Sequence, residues 1–194
     1  SLRVELQMLA DVGLVGFPNA GKSSLLDKFT NARPKIAPYP FTTKIPNLGV
    51  LSFGGGTEDS RDIIIADIPG LIEGASEGMG LGIRFLKHIS RTAVLAFLID
   101  VGDDNYKEAF DILLKELNAF SQELTEKRRV IVATKMDVED DAAEGGGVPA
   151  RQRLEELKAK YADEQVVGIS VFSGAGIAEL AGILGTMVGE DVQR

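Results

Sequence analysis

The spacing with the clearest chemical meaning is G-x-x-x-x-G-K-S, which begins at Gly16 and ends at Ser23. Glycines let the backbone curl until several N–H groups point at phosphate oxygens, and a following helix adds its positive N-terminal end. The ammonium of Lys22 can contact β- and γ-phosphates, and the Ser23 hydroxyl can ligate Mg²⁺. The pattern predicts a nucleotide phosphate site made by Gly16, Phe17, Pro18, Asn19, Ala20, Gly21, Lys22, Ser23 and Ser24.

A D-x-x-G sequence follows the apolar run 63–66 and comprises Asp67, Ile68, Pro69 and Gly70. An aspartate there can hold Mg²⁺ through a water, and Gly70 lets its backbone N–H approach the γ-phosphate. Four residues alone are weak support. Their place at the end of a predicted strand, downstream of a phosphate loop, makes the assignment specific.

Between these two motifs lies a proline-rich loop that contains Phe41, Thr42 and Thr43. A hydroxyl from this loop can complete the Mg²⁺ shell while the γ-phosphate is present. Thr43 is the predicted ligand and Thr42 the alternative. Loss of the γ-phosphate would release the loop, so hydrolysis would become a conformational signal.

Base selection requires a separate element, because phosphate loops serve ATPases and GTPases alike. The strand 130–133 leads into Thr134, Lys135, Met136 and Asp137, a T-K-x-D variant of the N-K-x-D motif. The Asp137 carboxylate can accept hydrogen bonds from the ring N–H and the exocyclic amine of guanine, which adenine does not offer in that arrangement. Threonine has one hydroxyl where asparagine has an amide, so we expect weaker affinity with selectivity retained.

A second base-contacting segment is predicted at the end of the last strand, where Ser170, Val171 and Phe172 replace the usual S-A pair. The backbone N–H of Val171 is the expected donor to the guanine oxygen, and the stem of Lys135 is expected to pack along the base. A backbone donor does not depend on the side chain, so valine is compatible with this role.

The fold predicted to position these groups is a three-layer α/β P-loop NTPase of the Ras-like type, with a mainly parallel six-stranded sheet flanked by helices. Residues 11–194 form the predicted domain, and 1–10 are interpreted as a remnant of a preceding one. The predicted strands lie near 12–17, 47–53, 62–67, 93–101, 130–133 and 166–170. One predicted helix begins at Gly21. The other predicted helices cover 81–91, 105–125, 149–162 and 177–189.

The composition and net charge of the chain limit the classes of molecule that it is expected to bind. The 194-residue chain has a net charge of −8, so most of its surface would repel nucleic acid, and DNA binding is not expected. It has no cysteine and no apolar run long enough to span a membrane, which favours a cytoplasmic protein. The single histidine, His88, is interpreted as a surface or packing residue.

Taken together, these motifs resemble those of the Obg (CgtA) GTPases across nearly the whole chain. The most specific pieces are Gly16–Ser23, Phe41–Thr43 followed by Pro46–Gly49, and Asp67–Ala75 with Gly80–Gly82. The resemblance implies a bacterial GTP/GDP-binding protein that acts in large-ribosomal-subunit assembly and responds to ppGpp. It also implies that a glycine-rich N-terminal domain is missing here, so ribosome binding is expected only of the full-length protein.

Leu71 follows Gly70, where many GTPases carry a glutamine that orients the attacking water. A leucine cannot do this, so intrinsic hydrolysis is expected to be slow, with Lys22, Thr43 and Gly70 as the remaining catalytic candidates. Some GTPases with the same Pro-Asn-Ala-Gly-Lys-Ser sequence ligate K⁺ through the asparagine. We therefore hypothesise that Asn19 holds a potassium ion that supplies charge to the transition state.

Three other functions fit parts of the sequence. A different GTPase of ribosome assembly or tRNA modification would share the phosphate loop but not the segments 73–75 and 80–82. A scaffold that holds nucleotide without hydrolysing it would differ in turnover at saturating GTP. A P-loop ATPase would leave Asp137 without partners on adenine.

Overall fold

The computed structural model describes residues 10–30, 48–53, 61–67, 92–138 and 147–192. Six strands form one sheet in these ranges, in the order β2-β3-β1-β4-β5-β6. Only β2 runs antiparallel to its neighbour, and the other pairs are parallel. The strands are β1 (Val12–Gly16), β2 (Leu48–Phe53), β3 (Arg61–Asp67), β4 (Val94–Asp100), β5 (Arg128–Thr134) and β6 (Gln165–Gly168).

Five α-helices lie in the same ranges. They are α1 (Lys22–Thr30), α2 (Tyr106–Phe120), α3 (Gln122–Thr125), α4 (Ala150–Lys160) and α5 (Ile177–Val192). A 3₁₀ turn at Met136–Val138 follows β5. The predicted fold class, a mainly parallel six-stranded α/β sheet with flanking helices, is confirmed.

The central strand β4 is buried on both faces, as its continuous apolar sequence predicts. On one face Phe97 packs with Phe110 and Leu113 of α2, and the rings of Phe97 and Phe110 meet edge to face at 5.0 Å. On the other face Leu98 packs with Leu25 of α1 and with α5. Each such fully buried side chain contributes on the order of 1.5–3 kcal/mol, so the sheet is a rigid support for the loops at its ends.

The single helix predicted over 105–125 is two helices in the structure, α2 and α3. The apolar spacing predicted one helix over 105–125, but Ser121 has an extended backbone, with φ −157° and ψ 115°, and separates α2 from α3. Its N–H donates to the carbonyl of Leu117 at 2.8 Å and closes α2. On α2, Phe110, Leu113 and Leu117 are buried in the core, and Ala109 is partly buried against it.

Parallel strands put their carboxyl ends at one edge of the sheet, where α/β proteins bind ligands. The segments after β1, β3, β4 and β5 all leave from that edge. Strand β6 ends at Gly168, two residues before the predicted boundary, so Ser170 to Phe172 belong to the loop that follows it. The predicted helix 81–91 lies outside the described residues, as do residues 1–9 of the predicted N-terminal remnant.

Candidate nucleotide-binding site

The phosphate loop is a tight turn between β1 and α1. A Cβ at Gly16 would lie 3.2 Å from both the Ala20 Cβ and the Leu98 carbonyl oxygen, so the end of β1 leaves little room for a side chain. Gly21 has φ +102°, which L side chains rarely adopt. The Ala20 N–H donates to the Phe17 carbonyl at 3.1 Å and closes the turn. Helix α1 then starts at Lys22, so its positive end faces the turn.

A cleft of about 350 Å³ opens above this turn. It is lined by Asn19, Gly21, Lys22, Ser23, Ser24 and Lys135. The fold therefore places the lysine of the predicted base motif at the same cleft as the predicted phosphate loop.

The Lys22 ammonium lies 3.3 Å from Oδ1 of Asp67, the last residue of β3. Both side chains are largely buried, at 13% and 7% exposed. The carboxylate oxygen Oδ1 has no hydrogen-bond partner, which is unusual for a buried polar atom. A buried carboxylate oxygen that accepts no hydrogen bond fits an Mg²⁺ site, since Mg²⁺ takes oxygen ligands and keeps several waters. The exposed Ser23, which lines the cleft next to Lys22, carries a second oxygen of the predicted ligand set.

The threonine of the T-K-x-D sequence reaches the phosphate loop. The Thr134 side chain is buried, and its hydroxyl donates to the Ala20 carbonyl oxygen at 2.8 Å. The Ile99 carbonyl lies farther away, at 3.3 Å, and a hydroxyl has one proton to donate. A single hydroxyl is therefore enough to brace the loop from β5.

Lys135 makes a second tie to the same loop. Its ammonium donates to the Asn19 carbonyl oxygen at 2.8 Å and to Oδ2 of Asp100 at 2.8 Å. Sequence reasoning placed the lysine stem along the base but did not identify this contact with the phosphate loop.

Asp137, the predicted guanine acceptor, is oriented by a serine from the other base-contacting segment. The Ser170 hydroxyl donates to Oδ1 of Asp137 at 2.8 Å and accepts the Ser173 N–H at 3.0 Å. The Met136 N–H donates to the Ile169 carbonyl at 3.1 Å, which joins the two segments through the backbone as well. A carboxylate accepts about four hydrogen bonds, so Asp137 keeps capacity for two donors from a base.

The remaining predicted base contacts lie in the turn after β6. Val171 is partly buried, while Phe172 is 91% exposed. Gly176 closes this turn: a Cβ there would lie 2.0 Å from the Gly168 carbonyl oxygen, and its φ is +74°. The Ser170 N–H donates to the Ala175 carbonyl at 2.9 Å within the same turn.

Several predicted residues lie outside the described part of the chain. They are Phe41, Thr42, Thr43, Ile68, Pro69, Gly70 and Leu71. Their roles in the Mg²⁺ shell, at the γ-phosphate and in water orientation remain predictions.

Sequence reasoning missed two side-chain partners, Asp100 for Lys135 and the Ser170 hydroxyl for Asp137. Asp100 carries a signal that could have been used, because it is an acidic residue at the carboxyl end of a fully apolar strand. The hydroxyl of Ser170 carries none, since a serine in a turn most often bonds its own backbone.

Shifted pKa values occur at the α2–α4 packing surface. Burial raises the pKa of Tyr106, and its hydrogen bond to Glu156 raises it further. Burial likewise raises the pKa of Tyr161. The ring of Tyr161 packs edge to face on Phe110, and the guanidinium of Arg153 lies over the ring of Tyr106. These shifts accompany helix packing.

The sequence is similar to those of known GTPases. The family model described as "50S ribosome-binding GTPase" matches residues 11–135. The chain is 61% identical to GTPase Obg of Treponema denticola over 91% of its own length and 43% of the relative's. It is 49% identical to GTPase Obg of Borrelia hermsii, over 93% of this chain and 51% of the relative. The chain belongs to the Obg branch of the ribosome-binding GTPase family.

This Obg-type chain spans about half the length of the curated relatives it matches. Among solved structures, it resembles the cytosolic domain of the T. maritima FeoB iron transporter in its GMPPNP form. That match has a TM-score of 0.65 and 22% identity over 93% of this chain and 64% of the other, and it shows the fold alone. In the described ranges, no helix is both long and apolar enough to cross a membrane.

Proposed function

We propose that this chain binds GTP and GDP and hydrolyses GTP slowly, as the nucleotide-dependent switch domain, residues 11–194, of an Obg-type protein. The observation that carries the proposal is the linkage of two sites: Asp137 is held by Ser170, while its neighbours Thr134 and Lys135 bond to the phosphate loop. Base recognition and phosphate recognition therefore belong to one hydrogen-bonded unit.

Guanine selectivity follows from the state of Asp137. Its carboxylate is fixed by one serine donor and has lone pairs left for the ring N–H and exocyclic amine of guanine. ATP would leave those lone pairs unmatched and would present its own amine elsewhere. An unmatched polar pair costs about 1–3 kcal/mol, roughly five- to 150-fold in affinity.

The magnesium site would be held by Ser23 and Asp67, with Thr43 as the third protein group and Thr42 as the alternative. When bound, Mg²⁺ would neutralise charge on the β- and γ-phosphates. The Lys22 ammonium would then move away from Asp67 and bind the phosphate oxygens, which carry more negative charge than one carboxylate.

Slow hydrolysis rests on Leu71, which has no group to orient the attacking water. The Gly70 N–H and Lys22 would still stabilise charge on the γ-phosphate as water attacks phosphorus and the bond to the β-phosphate oxygen breaks. We further propose that the Asn19 side chain ligates K⁺ beside the phosphates. Lys135 engages the backbone carbonyl of Asn19 and not its amide, which agrees with that role.

In the full-length protein, the switch would act on the large ribosomal subunit and respond to ppGpp in the cytoplasm. The family description, "50S ribosome-binding GTPase", and the Obg relatives support this assignment. The net charge of −8 argues that this chain alone is a poor partner for ribosomal RNA.

The proposal is tested by phosphate release at saturating GTP and Mg²⁺, with ATP as the matched substrate. We expect slow multiple turnover with GTP, no turnover with ATP, and faster turnover in potassium than in sodium buffer. Absence of any GTP turnover would favour a nucleotide-holding scaffold. Equal rates in the two buffers would reject potassium at Asn19 and leave the GTPase assignment intact.

A further inference from the structure

Asp100 is the last residue of β4 and is paired in register with Thr134 of β5. Its side chain is three-quarters buried, at 25% exposed, and both carboxylate oxygens are engaged. Oδ1 accepts the Gly102 N–H at 2.8 Å, and Oδ2 accepts the Lys135 ammonium at 2.8 Å. The Gly102 bond fixes the carboxylate, so its second oxygen presents a fixed acceptor to the lysine.

The lysine on the other side of this contact is bonded to the phosphate loop through the Asn19 carbonyl at 2.8 Å. Asn19 and Lys135 have φ values of +67° and +62°, and in the described ranges they are the two non-glycine residues with a left-handed backbone. Such a conformation costs free energy and persists where surrounding contacts enforce it. One ammonium thus joins the two strained points of the candidate site.

We propose that Asp100 is a positioning residue for guanine-nucleotide binding: by holding the Lys135 ammonium, it fixes both the lysine stem at the base and the Asn19 bend of the phosphate loop. This inference rests on the proposed nucleotide function and adds a residue to it. Asp100 acts through Lys135 and contacts neither phosphate nor base.

The role follows from the properties of lysine. An ammonium on a flexible four-carbon stem has three donors and loses much rotamer freedom when it is fixed. The Asn19 carbonyl accepts one donor, and a carboxylate gives a stronger, charge-assisted bond. With Asp100 in place the lysine is already ordered when nucleotide arrives, so less of the binding free energy is spent on ordering it.

The sign of the effect separates positioning from simple charge. A carboxylate near a nucleotide polyphosphate repels it, so neutralising Asp100 would tighten binding if charge alone mattered. Positioning predicts the opposite, weaker binding and faster release.

The test is the dissociation rate of a fluorescent GDP analogue, measured with Mg²⁺ for the intact chain and its variants. Asp100→Asn keeps an acceptor for the Gly102 N–H and removes the charge that holds Lys135. We expect it to speed release about five- to tenfold, which corresponds to the free energy lost with one partly exposed charge-assisted hydrogen bond. Asp103→Asn is the matched control, because Asp103 lies in the same segment and accepts the Asn105 N–H at 2.8 Å without contacting Lys135.

The same measurement in a Lys135→Met background decides whether Asp100 acts through the lysine. In the Lys135→Met chain we expect Asp100→Asn to have no further effect on the release rate. In the chain that retains Lys135, we expect Asp100→Glu, which keeps the charge, to release the analogue as slowly as the wild type. Should Asp100→Asn not fold, Asp100→Ser, which also keeps an acceptor for the Gly102 N–H and lacks the charge, replaces it in the same comparison with and without Lys135. Unchanged or slower release from Asp100→Asn, or an equal effect without Lys135, overturns the inference. A wild-type chain that binds no GDP analogue would instead refute the proposed function.

Discussion

The phosphate end and the base end of the candidate site are built differently. The phosphate loop depends on backbone geometry: Gly16 allows close approach to β4, Gly21 adopts φ +102°, and α1 begins at Lys22. The base end depends on side-chain hydrogen bonds, from Thr134 to the phosphate loop and from Ser170 to Asp137. A position that needs a special backbone geometry accepts few residue types. A position that needs only a hydrogen-bonding side chain accepts several.

That difference explains why the two ends match their usual motifs unequally. The phosphate loop fits G-x-x-x-x-G-K-S at every specified position, while the base end carries threonine for asparagine and valine for alanine. The buried Thr134 hydroxyl donates a hydrogen bond to the Ala20 carbonyl and so ties β5 to the phosphate loop. At Thr134, therefore, the contact with the phosphate loop is made by a different group, while the base contact expected of the Val171 N–H stays a prediction.

The largest expected effect comes from removing the phosphate-loop charge. Lys22→Ala should weaken GDP and GTP binding by about 100-fold or more, because the ammonium makes charge-assisted bonds to phosphate worth about 3 kcal/mol. The measurement is titration of a fluorescent GDP analogue. Lys28→Ala, which changes an exposed lysine of the same helix, should bind as the wild type does. Similar affinities for both variants would contradict the assigned phosphate site.

Next in size is a change of base preference at the other end. Asp137→Asn should weaken GTP binding roughly tenfold or more and improve binding of xanthosine triphosphate, which carries a carbonyl where guanine carries its amine. Competition with both nucleotides measures this, and Asp163→Asn on the exposed surface should change neither affinity. A uniform loss for both nucleotides would mean that Asp137 does not contact the base.

A smaller effect is expected from loosening that carboxylate. Ser170→Ala removes the donor to Asp137 and the acceptor for the Ser173 N–H, so guanine affinity should fall about fivefold, consistent with roughly 1 kcal/mol. Selectivity over ATP should fall with it. The control is Ser121→Ala, since Ser121 makes no side-chain cap bond to α3. Undiminished selectivity would show that Asp137 is positioned without the serine.

The smallest effect tests the link between the two ends. Thr134→Val keeps the shape and removes the hydroxyl, which leaves the Ala20 carbonyl without this donor. The variant should lose about 1 kcal/mol of unfolding free energy and about two- to fivefold in GDP affinity. Thr134→Asn should bind at least as tightly as the wild type, because an amide can make the same bond. Denaturant unfolding and GDP titration check both effects.

The sequence predicted the fold and the tight turn between β1 and α1 well, because apolar strands, amphipathic helices and glycines at turns are local signals. It failed where tertiary contacts decide. The break at Ser121 follows no helix-breaking residue, and the pairing of Asp100 with Lys135 requires knowing that β4 and β5 are neighbours in register. The groups assigned to the γ-phosphate, Thr43 and Gly70, stay predictions.

The most direct test of the central claim is displacement of a fluorescent GDP analogue from the purified chain by GTP, GDP, ppGpp and ATP with Mg²⁺ present. One linked site for guanine and phosphate predicts that the three guanine nucleotides compete at micromolar concentrations or below and that ATP does not. Equal competition by ATP would contradict the role of Asp137, and a failure of every nucleotide to compete would contradict the site itself.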